Sequence, residues 1–166
     1  MSEVYLASKR AHYKTAFATN SIDSSLTVVN ETATEPAGDG VHKIDPLCTG
    51  KVASQIRVIP FGDDAANETF NGRVIHWAKD QAKGVWIPTE LVTFAVTLGA
   101  ATLVNTEFFA DTIVYTSGIA EADLTIVSPA DDTRAWLLLD IMGADKIEFQ
   151  VDTVLALNGN YYFHAL

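Results

Sequence analysis

Cysteine is nearly absent from this chain: Cys48 is the only one in 166 residues, so no disulfide can form within it. A domain of this length needs no such staple, because its core buries roughly 70% of the surface its unfolded chain exposes. Cys48 therefore reads as a small buried or half-buried side chain rather than as a reactive thiol. Basic residues are scarce as well. Eleven Lys and Arg stand against twenty-one Asp and Glu, a net charge of −10. A surface of that sign repels phosphate backbones, and Lys9-Arg10 with Lys14 is the densest basic cluster, so no direct nucleic-acid partner is expected. Long apolar runs are missing. Stretches such as Trp136 to Leu139 fall far short of the roughly 20 residues that cross a bilayer, so no membrane partner is expected. Met1-Ser2-Glu3-Val4-Tyr5 has neither a basic start nor an apolar run; no signal peptide is expected, and synthesis in a cytoplasm is the default.

Signatures of catalysis are equally thin. The four histidines, His12, His42, His76 and His164, form neither H-x-H nor H-x-x-x-H, and a cupin-type metal site would need such a pair on one strand plus a Glu. No G-x-S-x-G elbow nominates a nucleophile, and no glycine-rich phosphate loop is present. Gly62-Asp63-Asp64 has the look of a polymerase metal turn, but such enzymes need further carboxylates on several hundred residues, and a turn after a strand explains it. Asp131-Asp132 after Pro129 is a second acidic turn. Calcium wants six or more oxygens, and no D-x-D-x-D-G loop supplies them, so a solvated turn is the simpler reading. Asn30-Glu31-Thr32 and Asn67-Glu68-Thr69 match the glycosylation acceptor, coincidentally in a chain without a leader. The expectation is a protein that is not an enzyme and takes no cofactor or metal.

What is present is a period of two. Ile147, Phe149 and Val151 alternate with Lys146, Glu148, Gln150 and Asp152, which predicts a half-buried strand. Val92, Phe94, Val96 and Leu98 alternate with Leu91, Thr93, Ala95 and Thr97 in the same way. Ala135 to Ile141 is a nearly continuous apolar run, expected in a sheet covered on both faces. Asn158-Gly159-Asn160 introduces a last strand, Tyr161 to Leu166. Turn signals at Gly62, Gly72, Gly84, Gly99, Gly118, Pro129, Gly143 and Gly159 suit a β-sandwich or jelly roll. Helical character reaches a single turn at most, over Glu121 to Leu124. The predicted class is all-β: a sandwich or jelly-roll-like domain over residues 51–166, preceded by an extended arm or edge strands over 1–50.

Residues 1–50 are rich in Ser, Thr, Ala, Asn and Asp, with a loop at Glu35-Pro36-Ala37-Gly38-Asp39-Gly40 and short β-leaning pieces at Val4 to Leu6 and Leu26 to Val29. An ordinary irregular start explains this as well as an arm does. If it is an arm, Tyr5, Leu6, Tyr13 and Phe17 are its anchors, able to fill a partner's grooves or to add a strand to an exposed sheet edge. Trp77, Trp86 and Phe94 lie close in sequence, and Tyr161-Tyr162-Phe163 closes the chain; such clusters serve as core, interface or sugar platform.

Residues 51–166 resemble the head-decoration, or capsid-cement, proteins of tailed bacteriophages. The resemblance is carried by the glycine-acidic turn with Asn67-Glu68-Thr69-Phe70, the strand Arg73-Val74-Ile75-His76-Trp77, the re-entry Trp86-Ile87-Pro88, and the terminal Asn-Gly turn with its aromatic strand. It implies a small β-sandwich or jelly roll without catalysis. It further implies a virion protein on the outer capsid surface, bound to the major capsid protein and to itself as a homodimer or homotrimer, opposing the pressure of packaged DNA. No functional residue is carried over, because the family's binding surfaces have no position-specific motif. Tail or neck proteins of the virion, and a carbohydrate-binding adsorption module that would need exposed rings near Trp77, Trp86 or Tyr161, are the alternatives.

Overall fold

A computed structural model of the chain describes residues 30–37, 41–43, 55–62, 66–102, 108–118, 124–127, 135–140, 144–152 and 159–165. Its ordered elements are all strands: β1 (Val41–Lys43), β2 (Gln55–Gly62), β3 (Thr69–Asp80), β4 (Val85–Thr102), β5 (Phe108–Gly118), β6 (Leu124–Val127), β7 (Trp136–Asp140), β8 (Lys146–Asp152) and β9 (Gly159–Ala165). The class is all-β. Leu124 opens β6, where the sequence suggested the end of a helical turn. Among the described residues no helix is long and apolar enough to cross a membrane.

Every pairing is antiparallel, and the strands follow the order β1-β8-β3-β4-β5-β2-β7-β6, with β9 on the far side of β2. β2 is the branch point. Its first half, Gln55 to Val58, pairs with β7; its end, Phe61 and Gly62, pairs with β5; and Ile56 to Gly62 pairs with β9. The sheet does not lie flat. From β8 to β9 the path runs through β3, β4, β5 and β2, which in a flat sheet would separate them by about 24 Å at ~4.8 Å per strand. Yet the rings of Phe149 in β8 and Tyr161 in β9 have centroids 4.1 Å apart. The sheet therefore curls until its two ends meet, and the core fills the space between.

That core draws on Ile56 and Val58 of β2, Phe70 and Val74 of β3, Val92 to Leu98 of β4, Leu137 and Leu139 of β7, and Ile147, Phe149 and Val151 of β8. Each such side chain contributes about 1.5–3 kcal/mol on leaving water. The alternations predicted for β4 and β8 are present on this inner face. The run at β7 differs from expectation. Leu137 and Leu139 are fully buried, whereas Trp136, Leu138 and Asp140 are half-buried on the other face, where the Arg57 guanidinium lies 5.8 Å from the Trp136 ring.

Two of the predicted turn glycines sit inside strands instead: Gly72 in β3 and Gly99 in β4. Gly72 pairs with Phe94, whose ring lies where a β-carbon would project, only 2.5 Å from it. The missing side chain is thus a seat for a core aromatic, not a turn. β3 and β4 form a long ribbon interrupted by one bulge, since Val74 faces Val92 while Ile75 faces Glu90. Leu91 is the extra residue, so Leu91 and Val92 are both buried and the alternation of β4 changes phase there. Gly118, opposite Val92 at φ +118°, lies against the Leu91 carbonyl, where a side chain has no room.

Of the segment 1–50, the described parts are 30–37 and 41–43. β1 is the edge strand beside β8, and residues 30–37 lie against the same end of the sheet. The remainder of the predicted arm, with Val4 to Leu6 and Leu26 to Val29, lies outside the described residues, as does Cys48.

Candidate functional site

The bulge divides the ribbon into an inner and an outer face with different chemistry. On the outer face, register places Lys146 beside Trp77, Glu148 beside Ile75, and Gln150 beside Arg73. On the other flank of β3, Pro88 stands opposite Trp77, Glu90 opposite Ile75, and Trp86 opposite Lys79. Three strands thus present a compact block of aromatic, cationic and carboxylate side chains. An outward face would ordinarily be wet, yet Ile75, Trp77 and Trp86 form a second buried cluster, and Arg73, Lys146 and Gln150 are buried as well.

A hydrogen-bonded chain links the polar side chains. The Trp77 Nε1–H donates to Glu148 Oε2 at 2.6 Å, and Gln150 Nε2 donates to Glu148 Oε1 at 2.8 Å. The Arg73 guanidinium donates to Gln150 Oε1 and, at 3.3 Å, to Glu90 Oε2. Ser117 Oγ reaches the other oxygen of Glu90 at 3.4 Å. A buried guanidinium calls for partners of this kind.

The cover comes from residues 30–37. Thr32 and Trp86 form an antiparallel bridge, with Thr32 N–H donating to the Trp86 carbonyl at 3.0 Å and Trp86 N–H to the Thr32 carbonyl at 2.7 Å. This bridge occupies the edge of β4 that β5 leaves open, because β5 begins to pair only at Val92. The segment then passes over the two indoles to β8, where the Lys146 ammonium holds Glu35 at 2.6 Å and donates to the Pro36 carbonyl at 2.7 Å. Pro36 is buried. The Lys146 ammonium also lies 5.2 Å from the Trp86 ring centroid, and that of Lys79 lies 5.5 Å away, so two cations attend one indole. Beyond β8, β1 pairs along the far edge. Residues 30–37 are therefore a strap laid across three strands. Pro88 fits the same geometry: Trp86 directs its N–H and C=O at Thr32, so Pro88, two residues on, turns its ring nitrogen toward that open edge, where no donor is missed.

His76 belongs to the opposite face. Its Nε2 is buried and has no hydrogen-bond partner. Burial pushes the imidazole below the usual histidine value, and the nearby Asp145 carboxylate offsets part of that. Asp145 itself ties down β3, accepting from Lys79 N–H at 2.8 Å while its own N–H donates to the Trp77 carbonyl at 3.0 Å.

The candidate interface residues Tyr5, Leu6, Tyr13 and Phe17 lie outside the described residues, as do Asp63-Asp64 and Asp131-Asp132. The aromatic cluster is split. Trp77 and Trp86 come together under the strap, Phe94 faces the core over Gly72, and Tyr161 stacks on Phe149. His42 and His76 take register positions on either side of Ile147, while His164 pairs with Arg57 in the other half. Among the described residues no group of three or more His, Cys, Asp or Glu is placed to hold a metal ion. Sequence reasoning missed Arg73, Glu90, Lys146, Glu148 and Gln150, along with Thr32, Glu35 and Pro36, which meet Trp86 and Lys146. No local signal marks them, because Lys146, Glu148 and Gln150 read as the solvent-facing partners of the β8 alternation. Comparison with protein-family models, with characterised proteins and with solved structures finds no significant match to this chain.

Proposed function

We propose that the chain is a structural virion protein that decorates and cements the outer surface of a bacteriophage capsid, binding the lattice of the major capsid protein and its own sister copies as a homodimer or homotrimer. The observation that carries this reading is the strapped outer face. Its charged and aromatic side chains, the groups that would otherwise bind or transform a small molecule, are engaged with one another and, through Lys146 and the Trp86 backbone, with the chain's own segment. That is the chemistry of cohesion between protein segments rather than of work on a ligand. The resemblance of residues 51–166 to capsid-cement proteins points the same way, and a surface of net charge −10 suits a layer held apart from packaged DNA.

The carbohydrate-binding alternative needs a flat ring offered to solvent at Trp77, Trp86 or Tyr161, and these are 4%, 7% and 7% exposed. No specific observation favours it.

The test is co-sedimentation of the purified protein with undecorated capsids of its own phage. Attachment should saturate at a fixed number of copies per lattice unit and should bury on the order of 1,200–2,000 Å² per contact. Removing residues 1–20 should leave a folded domain that attaches more weakly. A protein that stays in the supernatant, or that is isolated from its host as a monomer with a substrate in a pocket, sinks the reading.

A further inference from the structure

The strap itself is mostly exposed. Within residues 30–37 only Pro36 is buried, Thr32 is half-buried, and the other six are exposed. Among the described residues, two backbone hydrogen bonds at Thr32 and two contacts of the Lys146 ammonium tie it to the sheet. Segments with few buried apolar contacts open at a small fraction of the free energy that unfolds the whole domain. The shelf beneath is the reverse. Ile75, Trp77, Trp86 and Lys146 are buried with the strap in place, and the ammonium groups of Lys79 and Lys146 form a local positive site in a strongly acidic chain. Such a shelf favours whatever carries the strap's own features: a backbone to bridge Trp86, an acid for Lys146, and a proline over the indoles.

We propose that the strap is exchangeable between copies: residues 30–37 of one molecule seat on the Trp77–Trp86–Lys146 shelf of a second, whose own strap seats on the first. The inference rests on the virion-protein reading for its setting, in which many copies stand side by side. A reciprocal exchange preserves every contact of the closed form, so no interaction is lost. Local concentration then decides between the closed and exchanged forms, and a lattice raises it.

Charge reversal at the latch tests this with full-length protein. Glu35→Lys sets two cations against each other in the closed form and in any pairing of the variant with itself. Lys146→Glu does the same with two anions. Only a mixture of the two variants restores both attractive latches, and only by exchange. The mixture should form a complex holding the variants in equal number, beyond whatever assembly each shows alone, as read by native mass spectrometry and sedimentation velocity. Shielding of the indoles from acrylamide should return with it. A chain carrying both substitutions should recover shielding without the partner, which checks that the reversed latch still holds a strap. A mixture in which the variants stay apart overturns the exchange. Capsid attachment of the unaltered protein is measured separately: exchange without attachment removes the virion reading and leaves the exchange standing, and attachment without exchange does the opposite.

Discussion

The two faces of the β8-β3-β4 block use opposite means to the same end. On the inner face, Val74, Val92, Phe94, Ile147 and Phe149 are buried among other hydrocarbon. Their attraction is non-directional and proportional to area, so volume is what matters and alternatives of similar size are tolerated. On the outer face, Arg73, Gln150 and Trp77 are buried and Glu148 half-buried, joined by specific hydrogen bonds. There geometry is what matters, and an isosteric change can be worse than a large one. The inner face holds the sheet together; the outer face fixes which segment may lie on it.

Four substitutions sharpen that contrast. The largest effect should come from Phe149→Ala on the inner face, because Phe149 meets Tyr161 where the curled sheet closes. A loss of about 3–5 kcal/mol is expected in denaturant titration, and a loss below about 1 kcal/mol would mean the two ends of the sheet are not packed together. Trp77→Phe keeps the outer face filled but removes the donor to Glu148. It should cost about 1–3 kcal/mol, and Trp77→Phe combined with Glu148→Gln should cost less than the sum of the two. Strict additivity would mean the pair is not coupled. Lys146→Met retains the aliphatic stem and deletes the latch. Overall stability should change by about 1 kcal/mol or less, because Glu35 is largely exposed, while acrylamide quenching of tryptophan emission rises. Unchanged quenching would place the hold on the strap elsewhere.

The smallest effect should be a tilt in pH dependence from His76. Its folded-state pKa is lowered, chiefly by burial. The unfolded chain therefore takes up a proton, near the ordinary value of about 6.5, more readily than the folded one does. Its contribution to stability is complete above that value and declines as pH falls through it, until the folded state also protonates. His76→Gln should flatten the difference between denaturation midpoints at pH 7.5 and pH 5.5. An equal difference in both proteins would show that carboxylates alone set it.

The sequence reveals periods better than neighbours. The alternation at Ile147, Phe149 and Val151 identifies β8 and its inner face correctly, and the same holds for Val92 to Leu98. Alternation says which residues share a face. It does not say what lies on that face, which is why Lys146 and Gln150 read as solvent-facing and prove buried. Lys146 meets Glu35 and Pro36, more than a hundred residues away along the chain, and Gln150 meets Arg73 of β3; no local pattern encodes such meetings. Gly72 misled for a related reason. A glycine signals conformational freedom or missing bulk, and here only the second applies, through the cross-strand partner Phe94. The bulge at Leu91 was hidden because its neighbour Val92 continues the apolar alternation unbroken.

The branching at β2 has a consequence for how the chain is made. Among the described residues, every strand that pairs with β2 lies at or beyond Phe108, and its longest partner, β9, ends at Ala165. During synthesis, β3 and β4 can zip together as soon as their hairpin leaves the ribosome, whereas β2, made earlier, waits for strands that emerge last. Contacts so distant in sequence are slow to form, and meanwhile Ile56, Val58 and Phe61 offer a bare apolar strand to any neighbour. Nascent chains stalled before residue 159 should therefore be the species that chaperones capture, and slowing translation across residues 108–165 should lower the yield of soluble protein more than slowing it across 69–102.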